Sequence, residues 1–111
     1  MIFSIDTHIQ KIISGEKTQT RRSSDCLTVG RTYAIQPGRA KPGIQDGRIL
    51  ITAKMPEIVS PYNRISASDA QAEGGYTPEQ FEELYREIYP GWLVRFVYIF
   101  RFIKRARLVG I

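Results

Sequence analysis

Ser14-Gly15-Glu16-Lys17-Thr18-Gln19-Thr20-Arg21-Arg22 sets nine small, polar or basic residues in a row without one large hydrophobe. Just before it, Ile9, Ile12 and Ile13 fall at i, i+3 and i+4, and Thr7 and Gln10 have the spacing of a capping box. Gly15 is the expected left-handed stop, so the spacing predicts a helix over His8 to Ser14, after a short β-prone Ile2 to Ile5. The polar stretch beyond that stop has two readings. One is a solvated turn entering an edge strand. In the other, Lys17, Thr20 and Arg22 face a pocket, where a desolvated lysine loses its proton and activates a hydroxyl nucleophile. Strict strand alternation sends Lys17 and Thr20 to opposite faces, so they converge only if the chain curls at Lys17-Thr18.

Moving outward, Arg31 to Gln36 reads as a strand, Pro37 to Gly47 as a basic Gly/Pro loop, and Arg48 to Lys54 as a strand with Ile49, Ile51 and Ala53 on one face. Ser66 caps a short helix that Gly74-Gly75 ends. Thr77-Pro78-Glu79-Gln80 opens another, with Phe81, Leu84, Tyr85 and Ile88 at i, i+3, i+4, i+7. Glu79, Glu82, Glu83 and Glu87 fall mainly on its outer face, with Glu82 and Arg86 spaced as an i, i+4 pair. After Pro90-Gly91, the residues Val94, Phe96, Tyr98, Phe100 and Phe102 alternate along a final strand whose mixed second face makes it central or half-covered. This order predicts an α+β fold: one domain, 1–111, forming a small, strongly bent β-barrel with about three helices.

Composition narrows the function. The 111 residues are 42% hydrophobic and 24% charged, the balance of a globular domain, with a formal charge of +5. Residues 1–60 carry nine basic and five acidic groups, 61–94 two and six, and 95–111 five and none, so pairing of the two ends in one sheet would gather positive surface. One cysteine, Cys26, and one histidine, His8, exclude an internal disulfide framework and argue against a zinc hydrolase or deaminase, so no metal and no cofactor is expected. The first residues do not read as a secretory signal, and the apolar run Phe96 to Phe100 is too short to span a bilayer, which favours the cytoplasm. His8 reads as a surface or capping residue and Trp92 as a core or rim aromatic. Cys26 has no neighbour that would make it a nucleophile.

Glu73 lies at the end of the second predicted helix, where the dipole disfavours a carboxylate by about 0.3–1 kcal/mol. Either a lysine or arginine pairs with it, it simply frays into solvent, or its preference for a proton serves acid–base work.

Taken together, Ser14 to Arg22, Gly30 before a strand, Glu73-Gly74-Gly75, Phe81 in an amphipathic helix, Tyr89-Pro90-Gly91 and the aromatic last strand resemble an ASCH domain, a relative of the PUA β-barrel, nearly end to end. In layout the chain is similar to small bacterial N4-acetylcytidine amidohydrolases. Arg21 stands where their pattern has an apolar residue, Ser23 where it has an acid, and the 37–47 loop is longer and more basic. The resemblance implies metal-free amide hydrolysis: Lys17 takes the proton of Thr20, Thr20 attacks the acyl carbonyl, Glu73 shuttles the proton, and Arg22 or backbone N–H groups hold the oxyanion. It also implies that Arg21, Arg22, Gly74 and Tyr76 bind a substrate that is a nucleoside, free or in RNA. The alternatives are an RNA-binding module without catalysis, or a metal-independent ribonuclease on the same cleft. For RNA, Arg39, Lys41, Arg48, Lys104, Arg105 and Arg107 are the phosphate-tracking candidates, or an ordinary solvated surface. A monomer or weak dimer is expected.

Overall fold

The computed structural model describes residues 1, 3, 5–58, 65–91 and 94–105; Trp92 and Arg107 lie outside them. The elements run α1 (Asp6–Ser14), β1 (Gln19–Arg22), β2 (Thr32–Ala34), β3 (Gly47–Ile58), α2 (Ala67–Gly74), α3 (Pro78–Ile88) and β4 (Val94–Lys104). Helix α1 starts at Asp6 with Ile5 as N-cap and no side-chain cap, so the Thr7–Gln10 capping box does not form; Gly15, at φ 85°, stops it as expected. Ser66 caps α2 by accepting from Asp69 N, and the Thr77–Gln80 capping box opens α3 in full.

The strands form one antiparallel sheet in the order β1-β4-β3-β2, with β4 central. Phe100, Tyr98, Ile49 and Ile51 share the face that packs on Ile12 of α1 and on Phe3. Arg95 and Val97 occupy the other face of β4, toward the smaller cluster of Ile65, Ala70, Phe81 and Tyr85 built by α2 and α3. The expected barrel does not close into a ladder. Phe3 and Met1 exchange backbone hydrogen bonds with Gln36 just past β2 (2.9 and 2.8 Å), and the Phe3 ring lies 5.3 Å from the guanidinium carbon of Arg22 on β1. The sheet therefore bends until its two edges approach, and a side-chain contact spans the gap.

Strand β3 runs further than its apolar alternation suggests, through Pro56, which is tolerated because β2 flanks only the first part of it. Within it, Ile51 pairs with Phe100 but Ala53 pairs with Ile99, making Thr52 the extra residue of a bulge; its hydroxyl donates to Ile99 O at 3.2 Å. Ala53 is thereby moved off the Ile49/Ile51 face on which simple alternation places it. A second departure is Glu82, which is buried and not on the solvent face of α3. Its carboxylate accepts from Arg95 and Ile65 N, while Arg86 Nε donates to the Glu82 carbonyl.

Candidate functional site

The C-terminus of α2 is built against the Ser14 to Arg22 stretch. Three successive carbonyls are capped from there: Ala72 O by Thr18 N (2.8 Å), Glu73 O by Lys17 Nζ (2.6 Å) and Gly74 O by Lys11 Nζ. Two ammonium groups at the negative end of a helix offset its dipole, which is what the position of Glu73 requires. Capping also bends the chain at Lys17-Thr18: Lys17 N reaches back to Lys11 O, while Thr18 O already accepts from Phe100 N of β4.

That bend brings Lys17, Thr20 and Glu73 to one cavity of about 80 Å³, together with Arg21 and Arg22. Lys17 is 3% exposed and Glu73 1%. Lys17 Nζ donates to Glu73 O and Gln19 O and stands 3.5 Å from Glu73 Oε2. Burial pushes the Lys17 ammonium below the usual lysine range, and Glu73 opposes that shift. Glu73 Oε2 is buried and has no hydrogen-bond partner. Tyr85 of α3, on the same cavity, also has a buried hydroxyl without one, and burial raises its phenol to about 12. The cavity therefore presents an unmet acceptor on Glu73 and an unmet donor on Tyr85.

Arg21 lines this cavity, but its guanidinium is engaged with protein. Nε and Nη2 donate to the two oxygens of Glu57 (3.2 Å each), Nη1 donates to Gln19 Oε1 (3.1 Å), and Asp69 and Glu73 lie 3.6 and 3.5 Å away. Glu57 also meets Arg95, which is fully buried and doubly bonded to Glu82. Burial pushes the Glu57 carboxyl up, but Arg21 and Arg95 together outweigh it and hold the group below the usual carboxylate range. A chain of alternating charges thus runs from Glu73 through Arg21, Glu57 and Arg95 to Glu82. Sequence reading placed none of Glu57, Glu82 and Arg95 at the site.

Gly74 and Tyr76 do not line the cavity, whereas His8 does. His8 Nε2 and the Tyr76 hydroxyl share a 2.6 Å hydrogen bond, and Gly74, at φ 141°, has no room for a Cβ without pressing within 3.3 Å of the Tyr76 ring and 3.4 Å of His8 Nε2. His8 is buried rather than a surface residue, and burial, with Lys17 and Lys11 nearby, lowers it to about 4, so it is neutral at pH 7. Of the basic candidates for RNA, Arg48, Lys104 and Arg105 meet at a second cavity; Arg39 and Lys41 are exposed on the loop before β3 and do not line it. Among the described residues no helix is long and apolar enough to cross a membrane.

No protein-family model and no curated protein matches the chain. Solved structures do. An ASCH domain from Lactobacillus crispatus JV V101 aligns over 93% of this chain and 76% of its own, at 16% identity and a TM-score of 0.70. The ASCH structure from Zymomonas mobilis aligns over 90% of this chain and 65% of its own, at 18% identity and a TM-score of 0.60. A protein from Enterococcus faecalis V583 aligns over 86% and 66%, at 22% identity and 0.58. Among the described residues, the three helices and the four-stranded antiparallel sheet therefore compose an α+β domain with the ASCH fold.

Proposed function

We propose that this cavity hydrolyses the amide of an N4-acylated cytidine-type nucleoside, free or in RNA. The observation that carries the reading is Glu73 Oε2, a buried carboxylate oxygen without a hydrogen-bond donor, 3.5 Å from an equally buried lysine ammonium on a cavity that Thr20 shares. In its neutral form Lys17 takes the proton of Thr20, and the Thr20 oxygen attacks the acyl carbonyl carbon. The proton crosses to Glu73, which delivers it to the exocyclic nitrogen as the C–N bond breaks. Water activated by Glu73 then cleaves the acyl ester, releasing the acid and returning hydrogen to Thr20. Arg22, or backbone N–H groups of the Lys17 to Thr20 turn, hold the oxyanion.

The cavity is small against the roughly 300–1,000 Å³ of pockets that enclose a whole drug-sized ligand, so it takes the acylamino edge of the base and leaves the ribose outside. Such an edge pairs an N–H donor with carbonyl and ring-nitrogen acceptors, which matches the unmet acceptor of Glu73 and the unmet donor of Tyr85. A free nucleoside and a nucleotide in RNA present the same edge, and a cytoplasmic setting, where a lone thiol such as Cys26 stays reduced, supplies both. Incubating the protein with N4-acetylcytidine and with an acetylated RNA oligonucleotide tests the reading by the acetate released. Thr20→Ala is expected to lower that release by at least about 10³-fold. Folded wild-type protein inert on both substrates overturns the proposal, and RNA strand cleavage in its place selects the ribonuclease reading.

A further inference from the structure

At the far end of the sheet lies a larger cavity of about 540 Å³, where β3 begins and β4 ends. Seven residues of β4 separate Val97, which pairs with Arg21, from Lys104 on this second cavity. At about 3.3 Å per residue that is roughly 23 Å, so the two sites are separate. The second is lined by Arg48, Lys104 and Arg105, by Ile44 and Ile103, and by the bare edge of Gly47. Arg48 pairs with Ile103 and Gly47 with Lys104 across the ladder, and Arg105 N continues the pairing to Asp46 O at 2.9 Å. A side chain at Gly47 is ruled out, because a Cβ there would lie 2.1 Å from Ile103 O and 2.8 Å from the Phe102 ring. Close packing against Ile103 O and the Phe102 ring therefore requires glycine opposite Lys104.

The electrostatics of the two cavities differ. In the first, Lys17 and Arg21 are matched by Glu73, Glu57 and Asp69. In the second, Arg48 is anchored among the described residues by neutral oxygens, Nε to Thr32 Oγ1 and Nη2 to Thr32 O, both at 3.3 Å. No ion pair joins Lys104 or Arg105 to an acid among the described residues, and Asp46 is the one acid in residues 39–48 and 101–105. Three like charges around one opening repel each other, and an anion that bridges them relieves the repulsion. Two guanidinium forks and one ammonium suit phosphate oxygens, and Ile44 with Ile103 supplies an apolar wall for a flat base. The volume lies within the range of sites that enclose a small ligand.

We infer that this second cavity binds the phosphate of a nucleotide, free or as a unit of a single strand, against the Arg48–Lys104–Arg105 triad. The inference does not depend on amide hydrolysis, because its readout is binding. The full chain is titrated with a nucleoside 5′-monophosphate and with a fluorescein-labelled single-stranded ribo-oligonucleotide across a salt series. Along the strand the three cations reach successive phosphates, and three such contacts give a slope of log K on log salt near −2, which is roughly a 20-fold loss of affinity between 50 and 200 mM salt. In K104E/R105E, which leaves the Arg48–Thr32 bonds in place, the slope falls to about −0.7. Binding of both probes points to free nucleotides and binding of the strand alone to nucleic acid; either supports the site. Absence of binding by both probes, or binding by a folded K104E/R105E protein with an unchanged slope, overturns it.

Discussion

Glu57 and Arg95 face each other directly across the β3–β4 ladder, with 2.6 Å between carboxylate oxygen and guanidinium nitrogen. Counting from Ile49, plain alternation would put Glu57 with the apolar residues on the opposite face. The extra residue at Thr52 flips the parity of everything after it, as a one-residue slip does in any strand. The bulge thus delivers a carboxylate to the two buried arginines and, through Arg21, ties the end of β3 to Glu73.

Arg95→Met is expected to destabilise the fold by about 3 kcal/mol, because it strands Glu82 with no cation in a site that excludes water. Denaturant unfolding measures this. A loss below about 1 kcal/mol would mean that solvent, and not Arg95, satisfies Glu82.

Lys11 and Lys17 cap adjacent carbonyls of α2, yet only Lys17 reaches the carboxylate of Glu73. Lys11→Met should lower stability by about 0.5–1 kcal/mol, the value of a cation at a helix C-terminus, while acetate release persists. Lys17→Met should abolish release and also destabilise, since it leaves Glu73 with only the 3.5 Å contact to Arg21. Equal loss of activity in both variants would reduce Lys17 to a cap.

Tyr85→Phe removes the hydroxyl donor that α3 offers to the cavity without changing its shape. The buried hydroxyl has no partner in the free protein, so the thermal midpoint should hold or rise. KM for the acylated nucleoside should rise about tenfold, the value of one hydrogen bond of roughly 1.4 kcal/mol. An unchanged KM would place the ligand away from α3.

His8 is lowered to about 4 from an ordinary value near 6.5. The unfolded chain therefore takes up a proton at His8 before the folded chain does, so its share of stability is whole above pH 6.5 and falls as pH drops from 6.5 through 4. Thermal melts over that window should decline more steeply in the wild type than in His8→Gln. Parallel curves would show that His8 does not titrate in the fold.

Local pieces were legible from the residues alone: the Gly15 stop, the Ser66 cap, the Thr77–Gln80 box and the aromatic alternation of β4, all of which depend on residues within a few positions of one another. Through its resemblance it also singled out Lys17, Thr20 and Glu73, which the fold brings to one cavity. Tertiary structure decided the rest. The apparent capping box at Thr7 lost to a helix that begins at Asp6. Glu82 has the spacing of a surface partner for Arg86, yet it turns inward because Arg95, 13 residues away, is buried beside it. A bulge leaves no mark in composition, so the arrival of Glu57 beside Arg21 and Arg95 is invisible to alternation. The excess of positive charge is likewise a single sum in the sequence. Only the register of β3 on β4 sorts it into arginines neutralised by carboxylates at one end of the sheet and a triad at the other with no acid bound to it among the described residues.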